Sequence, residues 1–196
     1  MTSEAQGLRN ELENIRRVSD MLCTAHAGLR DAYARKALWS DITILALSTW
    51  LVALVFVEPK INASLTPLDL DPQIWIGVLG ILTFFLTVLQ MKADWNGKSD
   101  AHRLSLSMYA EIKRECGYIL APEQELTKEQ FQRVFDRYNM VTKIAREVPE
   151  GQFLRQKQRH KIKVAISRHL DTHPAASILL TRFRLWYRDN FESRRG

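Results

Sequence analysis

The chain has 196 residues, 46% of them apolar and 26% charged, with a net charge of +6 and a pI of about 9.5. The length suits one domain, and the two distant cysteines, Cys23 and Cys116, offer neither a disulfide framework nor metal-ligand spacing. A basic excess admits nucleic acid, an acidic ligand or anionic lipid as partner, so the position of the charge has to decide.

Residues 1–36 are rich in charge and contain no apolar stretch of the signal-peptide kind, so no cleaved signal is expected. Leu8, Leu12, Ile15, Ser19, Leu22, His26, Leu29 and Tyr33 recur at 4-3-4-3 spacing. That stripe predicts one amphipathic cytoplasmic helix leading into the first apolar run, with Gly28 as its interior weak point.

Ile42 to Val57 is sixteen residues without a charge, and Pro72 to Met91 is twenty. Sixteen helical residues reach roughly 24 Å, so the first span is read back to Ala37, which places Asp41 near the interface. The expected transmembrane hairpin covers 37–91, with spans at about 37–57 and 72–91 and an outer loop over 58–71. The other reading is an unusually apolar core hairpin in a soluble bundle, which the remaining amphipathic helices are too few to cover. Arg9, Arg16, Arg17, Arg30, Arg35 and Lys36 precede the first span, and Lys92, Lys98, Arg103, Lys113 and Arg114 come after the second. The loop holds one Lys and three acids, so both termini are expected in the cytoplasm. Trp39 and Trp95 would mark the inner interface and Trp75 the outer one. Asn62 opens a formal glycosylation sequon, read as a chance occurrence.

The cytoplasmic helical bundle is expected over 92–173. Lys92 to Tyr118 would extend the second span, with Leu104, Met108, Ile112 and Cys116 facing inward. Thr127 and Gln130 form a capping-box start, succeeded at helical spacing by Phe131, Val134, Phe135, Tyr138, Val141, Ala145 and Val148. Pro149-Glu150-Gly151 breaks the chain before a basic helix from about Gln152 to Asp171. Residues 174–196 form a C-terminal amphipathic helix and tail, opening at Pro174 and ending near Asn190. No stretch alternates with period two. The fold class is therefore all-α: a two-helix transmembrane hairpin extended into a cytoplasmic helical bundle.

A two-span hairpin runs at once into Ala93-Asp94-Trp95, Lys98, Ala101-His102-Arg103, Tyr109 and Ile112-Lys113-Arg114-Glu115. This arrangement, over roughly residues 5 to 170, resembles the SLATT family, the SMODS- and SLOG-associating two-transmembrane effector domain. The resemblance implies an inner-membrane effector of bacterial antiphage or conflict systems. Such an effector would form pores when a nucleotide second messenger or an upstream sensor protein signals. No sensor domain is recognised in this sequence, and the last 25 residues or so do not match the family pattern.

Thr83, Thr87, Gln90 and Asp94 share one face of the second span and are the pore-lining candidates, with Asp94 at the cytoplasmic mouth. The competing reading has Thr83 and Thr87 bonding back to their own helix or packing between helices. Trp95, His102, Tyr109 and Glu115 are the gate-coupling candidates, although His102 and Tyr109 equally suit a structural joint. Arg155, Lys157, Arg159, Lys161, Lys163 and Arg168, with no acid between Glu150 and Asp171, are candidates for anionic lipid or another polyanion; a solvated face is the plainer reading. Leu179, Leu180, Phe183, Trp186 and Tyr187 against Arg182, Arg184 and Arg188 suit an interfacial helix or subunit packing.

No catalytic arrangement is present: there is no phosphate-binding Gly loop and no nucleophile–base pattern, so an enzyme is not expected. His169 and His173 lack a third ligand, so neither metal nor cofactor is expected. The basic helix carries no nucleic-acid reading motif. Membrane lipid and further copies of the chain are the expected partners, since two spans cannot enclose a channel. The alternative is a membrane-anchored adaptor that recruits a cytosolic partner without conducting ions.

Overall fold

The computed structural model describes residues 3–56, 66, 71–121 and 126–192. Every regular element among them is helical: α1 (Ser3–Phe56), α2 (Pro72–Ala93), α3 (Trp95–Ile119), α4 (Lys128–Ile144), α5 (Glu150–Thr172) and α6 (Ile178–Tyr187), then a π-turn over Arg188–Glu192. The protein is all-α. It divides into two compact units, one of residues 29–101 and one of 1–28 with 102–196.

In the first unit, Asp71 caps α2 by accepting the Gln73 N–H at 2.7 Å, and Pro72 starts the helix where no N–H is needed. Leu54 and Leu79 are buried, and a methyl group on Gly80 would meet Leu51 Cδ1 at 3.8 Å. The hairpin buries little else. The most apolar 18-residue window of each of its two long helices is only 6% buried, and both helices are long and apolar enough to cross a membrane. Apolar surface of that extent is not left to water in a soluble monomer. Most of the expected outer loop, including Asn62, lies outside the described residues; Thr66 and Asp71 are within them.

The helix expected after the second span is present, with a single non-helical residue between the two. Asp94 adopts φ 44° and ψ 55°, the left-handed region that Asp tolerates better than most residues, and separates α2 from α3. Its carboxylate accepts the Gly97 N–H at 3.0 Å, which starts α3.

In the second unit, Leu12 and Ile15 of α1 pack with Tyr109, Ile112, Cys116 and Ile119 of α3 and with Val134 and Val141 of α4. The inward face of α3 is therefore His102, Ser105, Tyr109, Ile112, Cys116 and Ile119. This corrects the face expected through Leu104, which is 60% exposed because polar residues hold the inward positions above Tyr109; Met108 is partly buried and packs against the core. Helix α4 opens with the expected capping box, Thr127 accepting the Gln130 N–H at 3.2 Å and Gln130 accepting the Thr127 N–H at 3.1 Å. The chain leaves helix over residues 145–149, with Pro149 as the N-cap of α5. Pro174 lies in a turn, and α6 opens only at Ile178.

Candidate functional site: a buried histidine cluster

The 4-3 stripe of α1 stays buried past its apolar beginning, but its buried positions turn polar. Ser19, Thr24 and His26 are buried, as are His102 and Ser105 of α3 and Gln156 and His160 of α5. Buried polar groups need partners, and most of these side chains have one.

His26 Nδ1 lies 3.0 Å from His102 Nδ1, with the ring centroids 5.2 Å apart. Two Nδ1 atoms at hydrogen-bond distance require one to donate and the other to accept, so at least one ring is neutral. The Tyr109 ring stacks on His26 at 5.6 Å and 15°. Burial pushes the His26 pKa down to about 4, and the neighbouring His102 adds to that. His102 is also lowered, first by burial and then by the Arg146 cation. At neutral pH the pair is uncharged.

Thr24 Oγ donates to the Asp20 carbonyl at 3.2 Å and lies 3.0 Å from His160 Nδ1. A hydroxyl has one hydrogen, so with that geometry the His160 Nδ1–H donates to Thr24. The Ser105 hydroxyl accepts the Arg146 backbone N–H at 2.9 Å, pinning the chain as it leaves α4. Gly28 makes room for α5: a methyl group there would sit 2.5 Å from Gln156 Oε1 and 2.8 Å from Arg159 Nη1. Ser19 Oγ and Gln156 Oε1 are buried without a partner among the described residues. At the half-exposed rim, Lys113 pairs with Asp20 at 2.7 Å, and Arg137 bridges Glu111 and Glu115.

Among the expected gate-coupling residues, His102 and Tyr109 meet around His26, and Glu115 pairs with Arg137. Trp95 belongs to the other unit. With Trp39, Arg35, Lys36 and Leu86 it lines a groove of about 670 Å³.

The pore-lining candidates are committed to local bonds. The Thr83 hydroxyl donates to the Leu79 carbonyl and the Thr87 hydroxyl to the Thr83 carbonyl, each at 2.8 Å. Gln90 accepts the Ser40 hydroxyl at 3.2 Å and donates to the Asp41 carboxylate. Asp94 lies past the end of the helix that carries the other three.

Arg155, Lys157, Arg159, Lys161, Lys163 and Arg168 form no ion pair among the described residues. Arg155, Arg159 and Lys163 run along one side of buried Gln156 and His160, and Lys157, Lys161 and Arg168 along the other.

Periodicity placed His26 on the stripe but did not mark it as a site, and it missed Thr24, Ser105, Gln156 and His160. A signal was available in the polar residues at core positions of an otherwise apolar heptad. The cluster ties α3 and α5 to α1 through His26–His102 and Thr24–His160. Among the described residues no three His, Cys, Asp or Glu side chains are placed to hold a metal ion. Both thiols are pushed up by burial, Cys116 to about 11, so neither is a reactive thiolate at neutral pH. No protein-family model, curated protein or solved structure matches this chain.

Proposed function

We propose that the chain is a triggered effector of the bacterial inner membrane that oligomerises through its hairpin and opens the bilayer to ions. Both termini lie in the cytoplasm, and the trigger is a nucleotide signal or a sensor protein, as the resemblance to the SLATT family implies. The observation that carries this reading is the 6% burial of the two membrane-length windows. Such helices need lipid or other copies of themselves to cover them. The Lys and Arg flanking both spans supply the orientation. Two spans per chain make a conduit only in a closed ring. Opening is a shift between closed and open populations, driven by a ligand that prefers the open one.

A second reading, the membrane-anchored adaptor, is favoured by the back-bonded Thr83 and Thr87, which spend their hydroxyl protons inside their own helix. The mass of the detergent-solubilised particle separates the two. A closed species of about four or more subunits supports the conduit. A monomer or dimer with a stoichiometric soluble partner and no ion flux supports the adaptor. In the conduit reading, Thr83→Leu with Thr87→Leu, or charge reversal at Asp94, abolishes toxicity while insertion persists. Unchanged toxicity at normal expression removes the pore stripe.

A further inference from the structure

Helix α6 is turned the opposite way from an ordinary core helix. Its apolar residues face out: Leu179 is 77% exposed, Leu180 71%, Phe183 63% and Trp186 52%. The side toward α5 carries Thr181, Arg184 and Leu185. Arg184 and Arg188, one turn apart, open onto the same cavity as Arg168 and His169 of α5, a space of about 580 Å³. Facing sides of two packed helices are normally apolar. Here they carry three guanidinium groups.

Little on the protein balances these charges. Arg188 pairs with its neighbour Asp189 at 3.1 Å, on the surface. Arg168 and Arg184 form no ion pair among the described residues. Three cations against one carboxylate leave a surplus of two positive charges at the cavity. Thr181, the one buried residue of α6, donates its hydroxyl to the Ser177 carbonyl at 2.9 Å, so the arginines, with Tyr187 and His169 beside them, are the cavity's donors. The planar guanidinium fork matches phosphate oxygens two at a time, and a cavity of this size is typical of small-ligand sites.

We propose that the cavity between α5 and α6 binds a phosphate-bearing anion of at least two negative charges, with a pyrophosphate group as the smallest match. The site stands whether or not the hairpin conducts ions. Its ligand is a soluble diphosphate or the headgroup of a bis-phosphate lipid, and one experiment distinguishes them. The full chain is titrated with inorganic pyrophosphate in neutral detergent, at fixed ionic strength, by calorimetry. Saturable binding at one site per chain is expected. Arg168→Gln with Arg184→Gln weakens it about a hundredfold, the loss of two charge-assisted contacts. Arg133→Gln with Lys143→Gln, on α4 and outside the cavity, leaves it unchanged. In nanodiscs, cardiolipin that displaces pyrophosphate assigns the site to a lipid headgroup; pyrophosphate binding that persists assigns it to a soluble ligand. Absence of saturable binding to both pyrophosphate and cardiolipin overturns the site. So does equal weakening by the two double variants, which would mean diffuse attraction to a basic surface.

Discussion

His26 of α1 and His102 of α3 share a hydrogen bond between their Nδ1 atoms, 3.0 Å long and almost entirely out of solvent. The bond joins two helices through groups that cannot both carry a proton at those atoms and keep it. This fixes the sign of the pH effect. The unfolded chain protonates His26 near pH 6.5, the folded chain only near 4. Between those values the unfolded state binds more protons, so stability rises with pH across the window and falls as pH drops through it. His102 and the nearby Arg146 cation act in the same direction. Acidifying from pH 7 to 4 should cost about 3 kcal/mol through His26 alone. Urea unfolding in detergent at stepped pH measures this. Burial is the larger cause of the shift, so His102→Asn should keep the part of the slope that His26 supplies, and His26→Asn should reduce the slope to the part that His102 supplies. A slope unchanged by His26→Asn assigns the acid sensitivity elsewhere.

The contact of Gly28 with Gln156 gives a second test. Ala in place of Gly normally favours a helix by up to about 1 kcal/mol. At position 28 the added methyl meets Gln156 Oε1 at 2.5 Å, and Gln156 is itself buried. Gly28→Ala alone should therefore lower the melting temperature. In a Gln156→Ala background, where only the end of the flexible Arg159 side chain remains within 3 Å and can swing aside, the same change should raise it. The sign reversal in that double-mutant cycle is the readout, and additive effects would mean that α5 does not seat on α1 through Gly28.

The capping box of α4 allows a simpler measurement. Thr127→Ala removes the acceptor for the Gln130 N–H and should cost about 1 kcal/mol of bundle stability, and Thr127→Asp should restore most of it. Hydrogen exchange in the first turn of α4 would report the change locally.

That box was legible because it depends on residues three apart and on nothing distant. The lower half of the α1 stripe was legible for the same reason: Leu12 and Ile15 repeat at helical spacing and are buried where the spacing puts them. Legibility ended where polar residues took core positions. Reading apolar periodicity along α3 led through Leu104, whereas the buried neighbour is Ser105, whose hydroxyl has the Arg146 backbone as partner. That partner lies 41 residues away, so no local pattern announces it. The break at Asp94 was hidden because the residue that turns left-handed is not a Gly, and the nearest Gly, Gly97, lies inside α3. The direction of α6 was hidden because its pattern is amphipathic either way, and only the placement of α5 decides which face turns inward.

Gln90 ties the two helices of the hairpin together. On the second span it accepts from Ser40 and donates to Asp41, so a single amide satisfies two polar groups of α1. Gln90→Leu keeps the shape but leaves the Asp41 carboxylate without that donor, close to an apolar segment. An unpaired charged group there is expected to cost about 1–3 kcal/mol or more. Gln90→Leu should lower the yield and melting temperature of the detergent-solubilised protein, and Asp41→Leu added to it should recover much of the loss, because the orphaned charge is gone. Asp41→Leu alone should be milder than Gln90→Leu alone, since a neutral amide is easier to leave unpaired than a carboxylate. If Gln90→Leu is silent in melting temperature while ion flux or toxicity disappears, Gln90 acts on a water-filled path rather than on the hairpin's own cohesion.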